Sequence, residues 1–248
     1  MLLITGSSGQ LGGELAKLLP DALLTDVKSL DITDSAAVTA FVKEHNIDTI
    51  INCAAYTAVD KAEDEPNLAR KINVQGPENL AKTGCKIVHI STDYVFDGRG
   101  YKPYQPEDAA CPVSAYGQSK LDGEKAVLAN AQIAVVIRTA WMYSPYGNNF
   151  VKTIRRFGAE KEQINVVCDQ IGTPTSAADL AAAIVQILPQ MSEANKGIYH
   201  FTDEGVCSWY DFAQEIIAQS GLECKEIGRA SVGKECVRRC RSRWSPDH

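Results

Sequence analysis

The chain has 248 residues, a formal net charge of −6 and 45% hydrophobic residues, which suits one large α/β domain or slightly more, with a full core. The acidic balance argues against a nucleic-acid binder. No apolar run approaches the roughly 20 residues that span a bilayer, and the N-terminus lacks the basic segment and cleavage site of a signal peptide. Eight scattered cysteines without a Cys-x-x-Cys pair favour reduced thiols. We therefore expect a cytoplasmic protein that binds neither nucleic acid nor membrane.

A glycine-rich turn follows the first predicted strand, Leu2–Thr5, and leads into leucines at helical spacing. Its sequence is Gly6-Ser7-Ser8-Gly9-Gln10-Leu11-Gly12. Strand, spaced glycines and helix form a dinucleotide-binding fingerprint. Gly6 permits the tight turn, Gly9 lets the backbone approach a pyrophosphate, and Gly12 lets the helix pack close to the sheet. The helix N-terminus would attract the phosphates. A glycine turn without a ligand is the plainer alternative.

Acidic residues follow the second predicted strand. Asp26 lies about 20 residues after the first glycine, where an acid usually meets the adenosine ribose hydroxyls. An acid there favours NAD over NADP, but Lys28 partly offsets this, so the sequence leaves NADPH and NADH both open. Asp31 and Ile32 follow as adenine contacts, and a loop acid or helix cap is an equal alternative for Asp31.

Small residues end the third predicted strand, Thr49–Ala55. They leave room for a cofactor, although tight packing would also explain them. Asn73 lies in a helix that Pro66 is predicted to open, either as a hydrogen-bonding brace for the site or as a surface residue.

Three polar residues, at the end of the fourth predicted strand and in the helix that follows, could perform acid–base chemistry. Tyr116 and Lys120 are four positions apart in a predicted helix, so both side chains share one face. A phenol loses its proton near pH ~10, and an ammonium beside it lowers that pKa. The pair could then exchange a proton with an alcohol or ketone, while Thr92 at the strand end orients the substrate oxygen. The Tyr-x-x-x-Lys spacing is a weak signal alone and gains weight from the glycine turn.

The later part of the chain predicts a second, smaller unit. Trp141 follows the strand Ile133–Thr139, where an aromatic ring could stack on a sugar or base or pack in the core. From about Phe150 the strand–helix alternation loosens. We expect an α/β fold, with a Rossmann-type doubly wound parallel sheet and a smaller C-terminal substrate lobe. The boundaries are a dinucleotide-binding domain at 1–148 with return segments from the C-terminal part, a substrate-binding lobe at 149–223, and an atypical basic tail at 224–248.

Several strings resemble the dTDP-4-dehydrorhamnose reductases, which belong to the extended short-chain dehydrogenase/reductases, from Met1 to about Gly221. Besides the glycine turn, they are Asn52-Cys53-Ala54-Ala55-Tyr56-Thr57-Ala58-Val59-Asp60-Lys61-Ala62-Glu63, Ser91-Thr92-Asp93-Tyr94-Val95-Phe96-Asp97-Gly98, Tyr116-Gly117-Gln118-Ser119-Lys120-Leu121-Asp122-Gly123-Glu124 and Arg138-Thr139-Ala140-Trp141.

The resemblance implies that NADPH or NADH gives a hydride to C4 of dTDP-4-dehydro-β-L-rhamnose, a dTDP-sugar substrate, to yield dTDP-β-L-rhamnose for surface polysaccharide. By resemblance, Tyr116 protonates the new alkoxide, Lys120 holds the nicotinamide ribose and lowers the tyrosine pKa, and Thr92 hydrogen-bonds the reacting oxygen. Asp93 and Trp141 would join Thr92 at the substrate. Residues at the matching positions would hold the cofactor: Gly6, Gly9, Gln10, Leu11, Gly12, Asp26, Asp31, Ile32, Ala54, Ala55, Tyr56, Tyr116 and Lys120.

The resemblance leaves further expectations and alternatives. Some members bind Mg²⁺ through glutamates at a dimer interface, so a homodimer and a Mg²⁺ ion whose ligands the sequence leaves unassigned are both expectations. A nucleotide-sugar epimerase or dehydratase is an alternative, although Asp93 is followed by Tyr94 and not by the second acid of dehydratases. A non-catalytic NADP-binding regulatory subunit is the other alternative.

The last segment departs from the family pattern. Residues 224–248 carry seven Lys and Arg against three Asp and Glu, with no clear period. Our hypothesis is that this tail is a shifted reading frame or truncation scar and not a folded element, which would leave the substrate lobe incomplete. A basic partner-binding tail is the alternative.

Overall fold

The computed structural model describes residues 1–222 and 226–231. Twelve strands lie in these ranges: β1 Leu2–Thr5, β2 Leu23–Thr25, β3 Thr49–Asn52, β4 Lys86–Thr92, β5 Ala134–Thr139, β6 Met142–Tyr143, β7 Gln163–Val167, β8 Ile171–Gly172, β9 Thr175–Ser176, β10 Gly197–His200, β11 Cys207–Ser208 and β12 Glu226–Ala230. The α-helices of the same ranges are α1 Gln10–Leu18, α2 Ser35–Glu44, α3 Lys61–Asp64, α4 Pro66–Arg70, α5 Gly76–Ala81, α6 Ala115–Asn130, α7 Phe150–Glu160, α8 Ala177–Ile187 and α9 Trp209–Ser220.

A six-stranded parallel sheet forms the centre, in the order β10-β5-β4-β3-β1-β2. The chain moves outward from β1 to β2 and then returns across β1 to β3, so the strand order reverses between β1 and β3. Ligands of such sheets bind outside the carboxyl ends of the strands at this reversal. The predicted Rossmann-type sheet is confirmed, and the reversal marks where a cofactor crevice belongs.

Successive residues of the central strands point to opposite faces of the sheet and pack into two separate cores, as the period of two in a strand requires. Leu3, Ile50 and Ile87 point to the side that packs with α2 and α5, and their neighbours Ile4, Ile51 and Val88 point to the side that packs with α1 and α8. Helices therefore cover both faces of the sheet, and buried β-branched residues account for its near-continuous apolar strands.

The segment 149–223 contributes to both parts of the molecule. Its helices α7 and α9 pack with β7 around a separate core that contains Ile154, Val166 and Ala213. In contrast, α8 packs on α1, and β10 extends the central sheet beside β5. These last two elements lie with the central sheet, and the expected domain boundaries stay a prediction.

A strand in the basic tail corrects the sequence analysis. Residues 226–230 form β12, which pairs in parallel with β7 and aligns Ile227 with Ile164. Ile227 is half-buried against the smaller core. The hypothesis that residues 224–248 are not a folded element is wrong for this stretch, because the basic composition obscured an apolar position at the right register. The rest of the predicted tail lies outside the described residues.

Local differences from the expected elements are small. The third strand ends at Asn52 and not at Ala55, because the Asn52 side chain accepts a hydrogen bond from the Ala54 N–H group and turns the chain. Asp34 caps α2 by accepting hydrogen bonds from the N–H groups of Ala36 and Ala37. Residues 71–75 form a π-helical turn that the sequence did not indicate.

Candidate active site at the carboxyl edge of the sheet

The glycine turn packs directly against the chain that leaves β3. Gly6 has φ +65, and a Cβ atom on it would lie 2.7 Å from the Ala54 nitrogen. A Cβ on Gly12 would lie 2.4 Å from the Gly6 carbonyl oxygen, and one on Gly9 would lie 3.2 Å from it. The first and third glycines are therefore required by close approach, and the predicted turn between strand and helix is in place.

The N-terminus of α1 lies at the end of this turn. Gly9 precedes the helix in extended conformation, and no side chain caps the helix there. Gln10 accepts a hydrogen bond from the Asn149 side chain at 3.0 Å. The Leu11 side chain is buried in the core, so only its backbone could meet a ligand. The uncapped N–H groups and the dipole of α1 fit a pyrophosphate.

The three residues expected at the adenosine end lie in the segment after β2. The Asp26 carboxylate closes its own loop, accepting hydrogen bonds from the N–H groups of Lys28 at 2.9 Å and Ser29 at 3.3 Å. Asp31 accepts two hydrogen bonds from Thr33, and these lower the pKa of its carboxyl group. Ile32 is buried. The geometry of Asp31 is that of a loop acid, and its contact with a cofactor stays a prediction.

A buried amide braces the loop after β3. Asn73 accepts a hydrogen bond from the Tyr56 N–H group at 2.8 Å and donates to the Tyr56 carbonyl oxygen at 3.1 Å. Its amide nitrogen also lies 2.9 Å from the Ser119 hydroxyl on α6. Asn73 is fully buried in the π-helical turn, so it is a brace and not a surface residue. It ties Tyr56 to the helix that carries the Tyr–Lys pair.

Thr92, Tyr116 and Lys120 are brought together at the same edge. Ser114 caps α6 by accepting a hydrogen bond from the Gly117 N–H group, and the helix then presents Tyr116 and Lys120 on its buried face. The Thr92 side chain lies close enough to Tyr116 to lower the pKa of the phenol in part. The Thr92 hydroxyl also donates to the Asp93 carboxylate at 3.0 Å. The predicted threonine, tyrosine and lysine therefore form one cluster.

The electrostatics of Tyr116 differ from the prediction. Burial raises the pKa of Tyr116, the negative charge of Asp93 raises it further, and the nearby Thr92 side chain lowers it only in part. The sequence predicted instead that Lys120 lowers this pKa. That expectation is wrong for the described structure, because the Lys120 ammonium donates to the Ile90 carbonyl oxygen at 2.6 Å and burial of the phenol dominates. Tyr116 is held in its protonated form at neutral pH.

Burial also acts on Lys120. It lowers the pKa of the ammonium group to about 8, against the opposing effects of Glu124 and Cys53. Near pH 7 most of the Lys120 side chains therefore remain charged. A protonated phenol at this edge can donate a proton to a substrate oxygen.

Trp141 lies where β5 ends and the smaller lobe begins. It has φ +47, which is unusual for a bulky residue. Its indole stacks on Trp209, with ring centroids 3.5 Å apart and planes 11° apart. Phe150 packs on Trp209, with the two ring centroids 4.4 Å apart. The predicted substrate residue is thus part of an aromatic cluster, and no spacing in the sequence indicated Trp209.

Two buried polar networks behind the site were also missed. Thr5, Asn52 and His89 are neighbours in register on β1, β3 and β4, and they are joined by hydrogen bonds of 2.7 Å and 3.0 Å. Burial lowers the pKa of His89 well below its usual value, so its ring is neutral. Glu124 and Arg138 form a buried ion pair between α6 and β5. Only the parallel register, which the sequence does not specify, brings these residues together.

Among residues 1–222 and 226–231, no group of three or more His, Cys, Asp or Glu residues is arranged to hold a metal ion, so the expected Mg²⁺ gains no ligand set there. No helix in those same ranges is long and apolar enough to cross a membrane.

The parallel sheet, the glycine turn at its strand reversal and the Thr–Tyr–Lys cluster beside it define a Rossmann-type dehydrogenase/reductase. The family model described as RmlD substrate binding domain matches residues 1–244. The chain belongs to the dTDP-4-dehydrorhamnose reductase family. The match passes Gly221, where the sequence analysis placed the end of the resemblance, and that expectation is wrong.

Relatives and solved structures agree with this assignment. The dTDP-4-dehydrorhamnose reductase of Aggregatibacter actinomycetemcomitans is 43% identical over 238 residues, which cover 90% of this chain and 81% of that protein. The crystal structure of a dTDP-4-dehydrorhamnose reductase from Clostridium acetobutylicum is 46% identical with a TM-score of 0.89, covering 93% of this chain and 84% of that one. The Bacillus anthracis dTDP-4-dehydrorhamnose reductase in complex with NADP is 40% identical with a TM-score of 0.91, covering 97% and 87%.

Proposed function

We propose that this chain is an NAD(P)-dependent dTDP-4-dehydrorhamnose reductase. It transfers a hydride from NADPH or NADH to C4 of dTDP-4-dehydro-β-L-rhamnose and yields dTDP-β-L-rhamnose, a precursor of cell-surface polysaccharide made in the cytoplasm. The observation that carries the proposal is the cluster of Thr92, Tyr116 and Lys120 beside the glycine turn, in a chain of this family.

The glycine turn and its neighbours fit a dinucleotide. The close approach of Gly6 to Ala54 leaves backbone and small side chains at the carboxyl ends of β1 and β3. The N-terminus of α1 would hold the pyrophosphate, the segment Ala54–Tyr56 would line the cofactor, and Lys120 would hold the nicotinamide ribose. The relative with NADP supports the phosphorylated cofactor. Asp26 favours NADH, so we expect both cofactors to serve.

The bound cofactor would supply the hydride for C4. Tyr116 then donates its phenolic proton to the oxygen on that carbon, so that the ketone becomes an alcohol. Its raised pKa keeps this proton in place until the oxygen gains negative charge. Thr92 orients the same oxygen, and Asp93 lies beside it. Trp141 would face the sugar from the smaller lobe.

Net consumption of NADPH tests the proposal. The chain is mixed with NADPH and dTDP-4-dehydrorhamnose, and absorbance of the reduced nicotinamide is followed while the sugar product is separated. We expect equal amounts of oxidised cofactor and dTDP-rhamnose. An epimerase or dehydratase would recycle the cofactor, and a regulatory subunit would bind NADPH without turnover. Either of these results would refute the reductase assignment. The homodimer stays a prediction, which sedimentation of the same preparation would check.

A further inference from the structure

A buried ion pair and a neighbouring hydrogen bond connect α6 to two strands of the central sheet. Glu124 on α6 is 1% exposed and Arg138 on β5 is 4% exposed. The guanidinium donates from Nε to one carboxylate oxygen at 2.9 Å and from Nη2 to the other at 2.7 Å. The Ser91 hydroxyl on β4 donates to the first of these oxygens. Both oxygens of one carboxylate are thus held by neighbouring strands.

The position of this carboxylate relates it to the proposed proton donor. Tyr116, Lys120 and Glu124 follow one another at intervals of four in α6, so they lie along one face of the helix. Ser91 directly precedes Thr92 at the end of β4. Displacing Glu124 would therefore move the helix face that carries Tyr116 and Lys120 relative to the strand end that carries Thr92.

The same ion pair reaches the long loop after β4. The Arg138 guanidinium carbon lies 5.0 Å from the centroid of the Phe96 ring, and Nη1 lies 3.4 Å from the Pro106 carbonyl oxygen. A paired arginine fork fixes direction as well as distance. Buried ion pairs are often no more stabilising than apolar residues of the same volume, so global stability alone is a poor explanation for this one.

We propose that Glu124 is a positioning residue, which holds the Tyr116–Lys120 face of α6 in its working alignment with Thr92. The kinetic consequence rests on the proposed reductase function, whereas the alignment itself can be measured without turnover. Since a misplacement of about 1 Å at a reacting group can reduce the rate about a hundredfold, a small shift of α6 is sufficient.

The charge of Glu124 adds a second effect on Lys120. It raises the pKa of Lys120, and this opposes the larger effect of burial. Other titratable groups near Lys120 are Tyr116 and Cys53, whose pKa values burial raises, and His89, whose pKa burial lowers. All three are uncharged near neutral pH, so they cannot replace the missing negative charge. Removing that charge should shift deprotonation of Lys120 to lower pH.

The test substitutes Glu124→Gln and compares it with Glu78→Gln. Glu78 pairs with Lys82 on the exposed surface of α5, so the control loses the same charge from an ion pair outside the site. For Glu124→Gln we expect kcat to fall about a hundredfold. The alkaline limb of its pH–kcat profile should move to lower pH. Glu78→Gln should retain the wild-type kcat and profile.

Nuclear magnetic resonance of protein with ¹³C-labelled tyrosine rings and lysine side chains reports on the surroundings of both side chains without turnover. Lys120→Arg and Tyr116→Phe assign the two signals. Glu124→Gln should displace the Tyr116 signal and lower the titration midpoint of Lys120, and Glu78→Gln should change neither. If the wild type lacks reductase activity, the proposed function fails while these signals still test the positioning role.

Two results for Glu124→Gln would contradict the positioning role. A folded Glu124→Gln protein with wild-type kcat, or with an undisplaced Tyr116 signal, overturns the proposal. If circular dichroism shows that Glu124→Gln does not fold, Arg138→Lys takes its place, because it keeps the positive charge and loses the fork. That variant should displace the Tyr116 signal and reduce kcat, and wild-type values for both would overturn the proposal.

Discussion

The central sheet and the smaller lobe are held together in different ways. The sheet joins six parallel strands, and its residues alternate between two continuous apolar cores. The lobe contains paired strands of two to five residues, β7 with β12 and β8 with β11, and an aromatic cluster around Trp209. The sheet is therefore fixed by a continuous ladder of backbone hydrogen bonds, whereas the lobe combines short strand pairs with stacked side chains.

This difference indicates where function and stability can be changed separately. On the sheet side, the Thr–Tyr–Lys cluster lies on a regular framework, so a conservative change in the cluster should alter chemistry and leave the fold intact. On the lobe side, the groups that would meet the sugar also hold the lobe together. A substitution there should therefore change substrate affinity and stability together.

The largest expected effect is on the sheet side. Tyr116→Phe removes the proton donor and leaves the ring, so kcat should fall by about 10²- to 10⁴-fold while NADPH affinity and the melting temperature stay unchanged. Tyr199→Phe is the matched control, because that exposed hydroxyl donates only to the Asn195 carbonyl oxygen. Stopped-flow and steady-state absorbance measure both variants. Turnover of Tyr116→Phe at the control's rate would remove Tyr116 from the mechanism.

Lys120→Met should lose activity and gain stability. The folded pKa of Lys120 is about 8 against an unfolded value of 10.5, so the unfolded chain binds more protons between these pH values. Wild-type stability should therefore rise with pH across this window, and below it the buried charge has its full cost. Replacement by Met should raise the free energy of unfolding at pH 7 by about 1–3 kcal/mol, after loss of the hydrogen bond to Ile90.

Urea denaturation at pH 7 and pH 10 measures this effect. The difference in free energy of unfolding between Lys120→Met and wild type should be smaller at the higher pH. Lys125→Met, at an exposed position of the same helix, should show no pH-dependent gap. If the difference in free energy of unfolding were the same at both pH values, the buried ammonium would not be the cause of the stability change.

The sequence could predict the sheet side because its signals are local. The apolar runs of β1, β3, β4 and β5 and the spacing of Tyr116 and Lys120 each lie within a few residues. The direction of the Tyr116 pKa shift could not be predicted, since burial depends on what packs around the phenol. The Trp141–Trp209 stack and the Glu124–Arg138 pair join residues from separate elements. Ile227 was missed because a strand pairing with β7 cannot be inferred from the basic tail alone.

On the lobe side, Trp209→Leu removes the partner of Trp141. We expect KM for the dTDP-sugar to rise about tenfold, the free energy of unfolding to fall by about 2 kcal/mol, and NADPH affinity to stay unchanged. Phe41→Leu is the control in the sheet half, where Phe41 packs on His45 with centroids 4.3 Å apart. It should lower stability and leave KM unchanged. Equal KM values for the two variants would contradict the separation of the halves.

The smallest effect concerns a contact between the halves. Asn149 caps α7 by accepting a hydrogen bond from the Lys152 N–H group at 3.1 Å, and its amide nitrogen donates to Gln10 at 3.0 Å. Asn149→Ala should lower the free energy of unfolding by about 1 kcal/mol. Because Gln10 begins the helix expected to hold the pyrophosphate, the variant should also weaken the effect of NADPH on dTDP-sugar affinity.

Asp34→Ala separates these two consequences. Asp34 caps α2 through the N–H groups of Ala36 and Ala37, so its loss should cost a similar amount of stability. Within the described part of the chain, its side-chain hydrogen bonds stay in α2. Calorimetric titration of dTDP-sugar with and without NADPH should therefore show reduced coupling in Asn149→Ala and wild-type coupling in Asp34→Ala. Equal coupling in the two variants would mean that the halves communicate through the returning elements α8 and β10, and not through this amide.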